Sequence, residues 1–186
     1  MKVISLPQEE KELILQAVGN NRPAQQKIYS KYSPKMLGVC RQYIKDLQEA
    51  EDVMVSSFMK VFTNLKNFKG EGSFEGWIRR IMINECISFI RVQKKVKFIE
   101  EINYLEESFN ATDSQYNLED LQFLIDSLPE GYKMIFNLYC IEGFKHQEIA
   151  KMLNISEGTS KSQLSHARKM LQENVVKLKN YSYGIK

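Results

Sequence analysis

Residues 144–171 read FKHQEIAKMLNISEGTSKSQLSHARKML, and this stretch decides how the chain is understood. Ile149, Ala150 and Leu153 recur at helical spacing and share one face of a short segment. Asn154 then tolerates a left-handed backbone, so it turns the chain without a glycine. Ser156 is a good N-cap for a second, longer helix, because its hydroxyl accepts from the free N–H groups of the first turn. Small Ala150 allows a close crossing of the two helices. Leu164, Ala167 and Leu171 point inward in the second helix, leaving Lys161, Ser162, Ser165, His166, Arg168 and Lys169 to solvent. The pattern predicts a helix-turn-helix whose second helix suits a DNA major groove. A helical hairpin in an all-α core with a solvated basic face is the plainer alternative.

At 186 residues the chain suits one or two compact domains, each able to bury a core without staples. Cys40, Cys86 and Cys140 are scattered with no CxxC pair, which argues against a disulfide framework or a cysteine zinc site and fits a reducing cytosol. The start, MKVISLPQEEKE, turns polar after six residues and does not read as a signal peptide. No apolar run approaches membrane-spanning length. The expectation is a cytoplasmic, soluble protein.

The net charge of +3 conceals a sharper distribution. Residues 66–97 carry 8 basic and 3 acidic groups, for +5; residues 98–126 carry none and 8, for −8; residues 127–186 carry 9 and 5, for +4. Two basic blocks flanking an acidic one supply phosphate attraction at two separate places.

Working outward, apolar residues recur at helical spacing from Leu13 to Ile44, with Pro23 apt for a helix first turn and Pro34 marking a further helix start. A helix is predicted from Asp46 or Leu47 to Leu65. Gly70 and Gly72 form a loop, Ser73 caps, and Phe74–Lys94 reads as one long helix with Phe74, Trp77, Ile78, Ile81, Met82, Cys86, Ile87, Phe89 and Ile90 as its apolar set. Residues 98–117 mix acidic, Asn and Ser residues and read as a flexible linker. From Leu118 the helical period returns, and Pro129 opens a helix containing Met134, Ile135, Leu138 and Tyr139. The fold expected is all-α: two small helical domains joined by an acidic linker, the second containing the helix-turn-helix.

Catalysis is not expected. His146 and His166, the only histidines, have no spacing partner for a metal or a nucleophile, and no cofactor motif is present. Adjacent Glu51 and Asp52 point in different directions on a helix. The stretch Phe68–Lys97 alternates aromatic with basic residues, a pairing that suits single-stranded nucleic acid. The same aromatics, Phe74 and Trp77 with Ile81, share one helix face and equally suit a core. Asn84, polar in an apolar helix, suits either a base edge or a local contact.

The segments Ile28–Met36 (IYSKYSPKM), Ala50–Val61 (AEDVMVSSFMKV), Phe68–Arg91 and Glu148–Leu171 together resemble, in order and spacing, the extracytoplasmic-function sigma factors. The resemblance implies an initiation factor without enzymatic activity that binds core RNA polymerase and directs it to promoters. It implies that residues 11–97 are sigma region 2, with residues 98–117 a linker and residues 118–180 region 4. In region 2, Lys69, Ser73, Trp77, Arg80, Asn84 and Arg91 match the positions that melt and read the −10 element. Glu51, Asp52, Val55 and Ser56 match the surface that docks on the clamp helices of the largest polymerase subunit. In region 4, Lys161, Ser162, Ser165 and His166 match the readers of the −35 element, with Thr159 and Arg168 placed for phosphates. The other face of region 4 would engage the flap of the second polymerase subunit.

The sequence departs from the family pattern in four places. Val55-Ser56-Ser57 replaces a Gln-Glu-Thr-like run, and Ser160 stands where an apolar residue is usual. Gln163 stands where a cation is usual, and reads an adenine edge if it faces the groove. Lys145 replaces a Ser or Thr cap before Glu148, removing half of a capping box. A membrane-bound anti-sigma factor is a common family partner; direct membrane insertion is not expected. An autonomous helix-turn-helix regulator is the alternative, one that leaves the aromatic-basic helix without a task.

Overall fold

The computed structural model describes residues 7–94 and 118–182, and every regular element among them is helical. The chain divides into two compact units, Met1–Lys95 and Val96–Lys186. The expected linker, residues 98–117, lies outside the described residues.

The first unit contains α1 (Gln8–Val18), α2 (Arg22–Tyr43), α3 (Leu47–Asn64) and α4 (Phe74–Lys94), with one 3-10 turn at Leu65–Asn67. Each of the last three helices starts at a polar cap. Asn21 Oδ1 accepts from the Ala24 N–H at 3.0 Å, Asp46 Oδ1 from Glu49 at 2.9 Å, and Ser73 Oγ from Gly76 at 3.0 Å. Pro23 lies in the first turn of α2, where no N–H is missed.

Pro34 starts no helix: it lies inside α2, which runs unbroken for 22 residues. Ile28, Tyr32, Met36, Val39, Cys40 and Tyr43 form one continuous buried stripe that passes the proline. Pro34 and Ser30, whose carbonyl loses its partner, are both exposed, so water can serve that oxygen. Burial on one face therefore outweighs the local break on the other.

α2, α3 and α4 pack pairwise around Phe58, Phe74, Ile28, Met36, Ile78 and Met82, all at 0–1% exposure. α1 is held on α2 by Glu10, which pairs with Lys31 at 2.7 Å and accepts from the Tyr32 phenol. Burial and that hydrogen bond push the Tyr32 phenol up to about 12. On α4 the buried set is Phe74, Ile78, Met82, Ile83, Cys86, Ile87 and Ile90, whereas Trp77, Ile81 and Phe89 are half-buried.

The second unit contains α5 (Leu118–Asp126), α6 (Glu130–Phe136), α7 (His146–Leu153) and α8 (Glu157–Ser182). The helix opened by Pro129 passes at Asn137–Ile141 into a single π turn, with Glu142 N–H bonded to the Asn137 carbonyl at 3.0 Å. Such turns re-aim side chains within a helix. Ile135, Leu138, Ile149, Leu153, Leu164 and Ala167 form the core. Lys133, 5% exposed, is also inside, paired with Asp126 at the end of α5.

Asn154 has φ 55° and ψ 48° and makes the left-handed turn between α7 and α8. Glycine adopts this conformation without cost, whereas a β-carbon lacking a short polar group is disfavoured by about 1–2 kcal/mol. Asn154→Ala is accordingly expected to destabilise the second unit by about 1 kcal/mol, and Asn154→Gly to leave it near wild type. Thermal unfolding followed by circular dichroism distinguishes the two variants.

Candidate functional site

The helix-turn-helix forms from α7 and α8. Ser156 caps α8 by accepting from the Thr159 N–H at 2.9 Å, and its hydroxyl also meets Thr159 Oγ1 at 2.8 Å. At α7, Glu148 Oε2 accepts from the Lys145 N–H at 2.9 Å. The Lys145 ammonium cannot accept in return, so one half of the capping box is present.

Lys161, Ser162, Ser165, His166 and Arg168 are exposed on α8, and Thr159 is partly exposed. Lys161 lies 2.7 Å from Glu157, a surface pair of little strength that yields readily to a phosphate. His166 stacks on Tyr132 with ring centroids 5.8 Å apart.

Gln163 does not face a groove. It is 8% exposed, and its Oε1 accepts no hydrogen bond among the described residues. Ser160, Gln163, Leu164 and Ala167 make one buried stripe at steps of three and four residues. Gln163 lies one turn before Ala167, so the inward face claims it, and it is withdrawn from the set of base-reading residues.

Ser160, also fully buried, has a polar partner that the sequence did not reveal. Its Oγ lies 2.9 Å from His146 Nδ1, so the first residue of α7 supplies the hydrogen bond that a buried hydroxyl needs. His146 stacks on Tyr139, with centroids 4.5 Å apart, and the Arg168 guanidinium lies 5.6 Å from the same ring. Arg168 Nη2 also lies 3.9 Å from Cys140 Sγ. Burial and the charges of Lys161 and Arg168 hold the His146 imidazole below its ordinary pKa, against the opposing pull of Glu157. Tyr139, His146, Lys161, Ser165 and Arg168 line an open concavity of about 370 Å³. Its cationic rim fits a phosphate, and its aromatic floor holds the arginine in place. Sequence reasoning passed over Tyr139 and His146 here, because the π turn that aims Tyr139 leaves no signature.

In the first unit, Trp77 leans on Phe68 and Phe74, with centroids 5.4 Å and 5.9 Å away. It is half-buried, with one part in the core and one part accessible. Arg80, Asn84 and Arg91 are exposed and follow Trp77 at three, seven and fourteen residues, so they share one side of α4. Lys69 is exposed in the preceding loop, where Gly70 and Gly72 take φ 74° and 97°. Ser73 is exposed, but its hydroxyl is engaged as the α4 cap, so its role includes positioning that helix.

Glu51, Asp52, Val55 and Ser56 are exposed on α3. Of the Val55-Ser56-Ser57 run, Ser57 is fully buried and donates to the Val53 carbonyl at 2.6 Å. The departure from the family pattern on the outer face thus narrows to Val55 and Ser56. Met59, 65% exposed, continues this face one turn on and was not anticipated.

A family model of Sigma-70 region 2 matches residues 28–96, and one of Sigma-70 region 4 matches residues 118–171. Together they cover more than half of the chain. The ECF RNA polymerase sigma-E factor of Haemophilus influenzae is 27% identical over 162 residues, covering 80% of this chain and 85% of its own. RNA polymerase sigma factor SigV of Bacillus subtilis is 27% identical over 135 residues, covering 73% and 81%. Among solved structures, the sigma factor RpoE of Bartonella quintana, crystallised with the anti-sigma factor NepR, shares the fold. Its TM-score is 0.51 at 22% identity, with 80% of this chain and 94% of that one covered.

This chain belongs to the sigma-70 family, within its extracytoplasmic-function group. It is a transcription initiation factor that directs RNA polymerase to promoters. The all-α fold and the helix-turn-helix of the second domain agree with what the sequence led one to expect. No helix among the described residues is long and apolar enough to cross a membrane.

Proposed function

We propose that residues 11–97 act as region 2, binding core RNA polymerase and the −10 element, and residues 118–180 as region 4, binding the −35 element, with residues 98–117 joining them. The observation that supports this most directly is the exposed row Lys161, Ser162, Ser165 and His166 on a helix whose opposite face is packed. Thr159, in the first turn of α8 at its positive end, and Arg168, three turns further on beside Tyr139, are assigned to phosphates. In region 2, Trp77 is assigned a stacking role on an unpaired base, with Lys69, Arg80 and Arg91 along the backbone and Asn84 at a base edge. Ser73 is assigned to holding the start of that helix.

On α3, Glu51, Asp52, Val55, Ser56 and Met59 are assigned to the clamp helices of the largest polymerase subunit, and the far face of region 4 to the flap of the second. The protein would act without catalysis, in the cytoplasm, on promoter DNA and polymerase, with a membrane-bound anti-sigma factor as a further partner. Reconstituted transcription tests the whole reading. Core polymerase with this protein should initiate at discrete promoters, and an absence of promoter-specific transcripts on genomic templates would sink it.

Two substitutions test the parts. Lys161→Ala should weaken binding to the cognate promoter by several-fold and leave binding to non-specific DNA less affected, as loss of a base contact does. Filter binding to cognate and non-specific duplexes measures both. Asn84→Ala should leave closed-complex affinity near wild type but reduce open-complex formation, and unchanged permanganate reactivity of promoter thymines would remove Asn84 from the melting role.

A further inference from the structure

The concavity of the second unit holds a row of contacts that runs from the core to the rim. Ser160, 0% exposed on α8, shares a hydrogen bond between its Oγ and His146 Nδ1 at 2.9 Å. The His146 imidazole lies against the Tyr139 ring, with centroids 4.5 Å apart and planes 23° from parallel. The Arg168 guanidinium lies over that same ring, 5.6 Å from its centroid, within cation–π range. Ser160 is buried, His146 and Tyr139 are half-buried, and Arg168 is exposed. The row thus passes from packed groups to a long side chain that solvent alone would leave free among many rotamers.

The cations that line the concavity are held in two ways. Lys161 pairs with Glu157 at 2.7 Å and Lys169 with Glu173 at 4.0 Å, so part of each charge is cancelled. Arg168 has no carboxylate partner among the described residues; beside the ring it has Cys140 Sγ at 3.9 Å. A ring face holds a cation without cancelling its charge, so Arg168 keeps its attraction for an anion. His146 adds no competing charge at neutral pH. Burial, with Lys161 and Arg168, holds its imidazole below the ordinary pKa, against the pull of Glu157.

We propose that Tyr139 and His146 are positioning residues for Arg168: the tyrosine face fixes the guanidinium at the concavity, and the imidazole, tied to Ser160, fixes the tyrosine. The anion that Arg168 takes is a phosphodiester of the duplex backbone, which rests on the reading of residues 118–180 as region 4. A guanidinium placed before the DNA arrives loses less freedom on contact, and this raises affinity without a further bond. The relay also gives a task to the buried Ser160 hydroxyl, which stands where an apolar residue is usual in the family.

Core polymerase carrying the full chain is bound, across a salt series, to a promoter duplex selected in the transcription assay. Arg168→Ala should weaken binding by about tenfold and lower the salt slope by about 1. Tyr139→Leu should weaken it by about 2–5-fold and also lower the slope, which loss of an uncharged side chain does only through a cation it holds. Tyr139→Phe keeps the ring face and should restore most of the loss, and His146→Ala should act in the same sense as Tyr139→Leu. In the Arg168→Ala background, Tyr139→Leu and His146→Ala should each change affinity by no more than about 1.5-fold, because their effect passes through the missing guanidinium. In the free chain, NMR should find the Arg168 Hδ and Hε protons upfield of their ordinary positions, shifted by the Tyr139 ring. Equal losses with and without Arg168, an unchanged slope in Tyr139→Leu or His146→Ala, or a Tyr139→Phe loss as large as that of Tyr139→Leu overturns the relay while leaving region 4 in place. So do ordinary Arg168 shifts in the wild-type chain. A wild-type chain that gives polymerase no promoter selectivity overturns the region 4 reading, and the relay with it.

Discussion

Phe74→Ala is expected to destabilise the first unit by about 3–5 kcal/mol, the usual cost of emptying a buried phenylalanine site. Phe74 is 1% exposed and contacts three rings: Tyr32 at 5.6 Å, Phe68 at 5.1 Å and Trp77 at 5.9 Å. Truncation leaves a cavity among them and removes ring contacts worth about 0.5–1.5 kcal/mol each beyond their area. A loss of this size is a large part of what stabilises a small domain. Urea unfolding followed by Trp77 fluorescence gives the stability. The indole should be more exposed even in the folded variant, because its support is gone. Phe74→Leu keeps most of the volume and should lose under half as much. If Phe74→Ala retained wild-type stability, the aromatic cluster would not be the anchor of α4.

Asp126→Ala is expected to cost the second unit about 2–3 kcal/mol. The Lys133 side chain is 6% exposed, and Asp126 is its carboxylate partner. Removing one member of a buried pair leaves an ammonium in the core, at about 3–5 kcal/mol for deeply buried cases. The one-third exposure of Asp126 admits water and lowers that figure. Lys133→Met removes the charge as well and should come out near neutral or stabilising. Circular dichroism melts compare the two, and Trp77 fluorescence should not respond to either. Equal losses in both variants would mean that Lys133 contributes through packing of its methylenes.

The positions where sequence reasoning and structure part are instructive for different reasons. Pro34 carries a strong local signal for a helix start, but the buried stripe from Ile28 to Tyr43 spans it and wins. Gln163 reads an adenine edge only if it faces the groove, and its spacing from Ser160 and Ala167 turns it to the buried face instead. Tyr139 and the His146–Ser160 bond could not be anticipated, since a π turn and a contact fourteen residues apart leave no local trace.

By itself, the sequence determined the helical class, the caps at Ser73 and Ser156, the left-handed turn at Asn154 and the outward row on α8. These depend on interactions within one or two turns, so spacing and residue type suffice to state them. Only the tertiary structure decided which polar residues are buried, that Trp77 is half in the core, and that Cys40 and Cys86 are buried while Cys140 is exposed. It also placed Arg168 over Tyr139 and gave the buried Ser160 hydroxyl its imidazole. Those facts depend on how helices distant in sequence cross, and a crossing is set by the summed packing of both faces rather than by any one stretch.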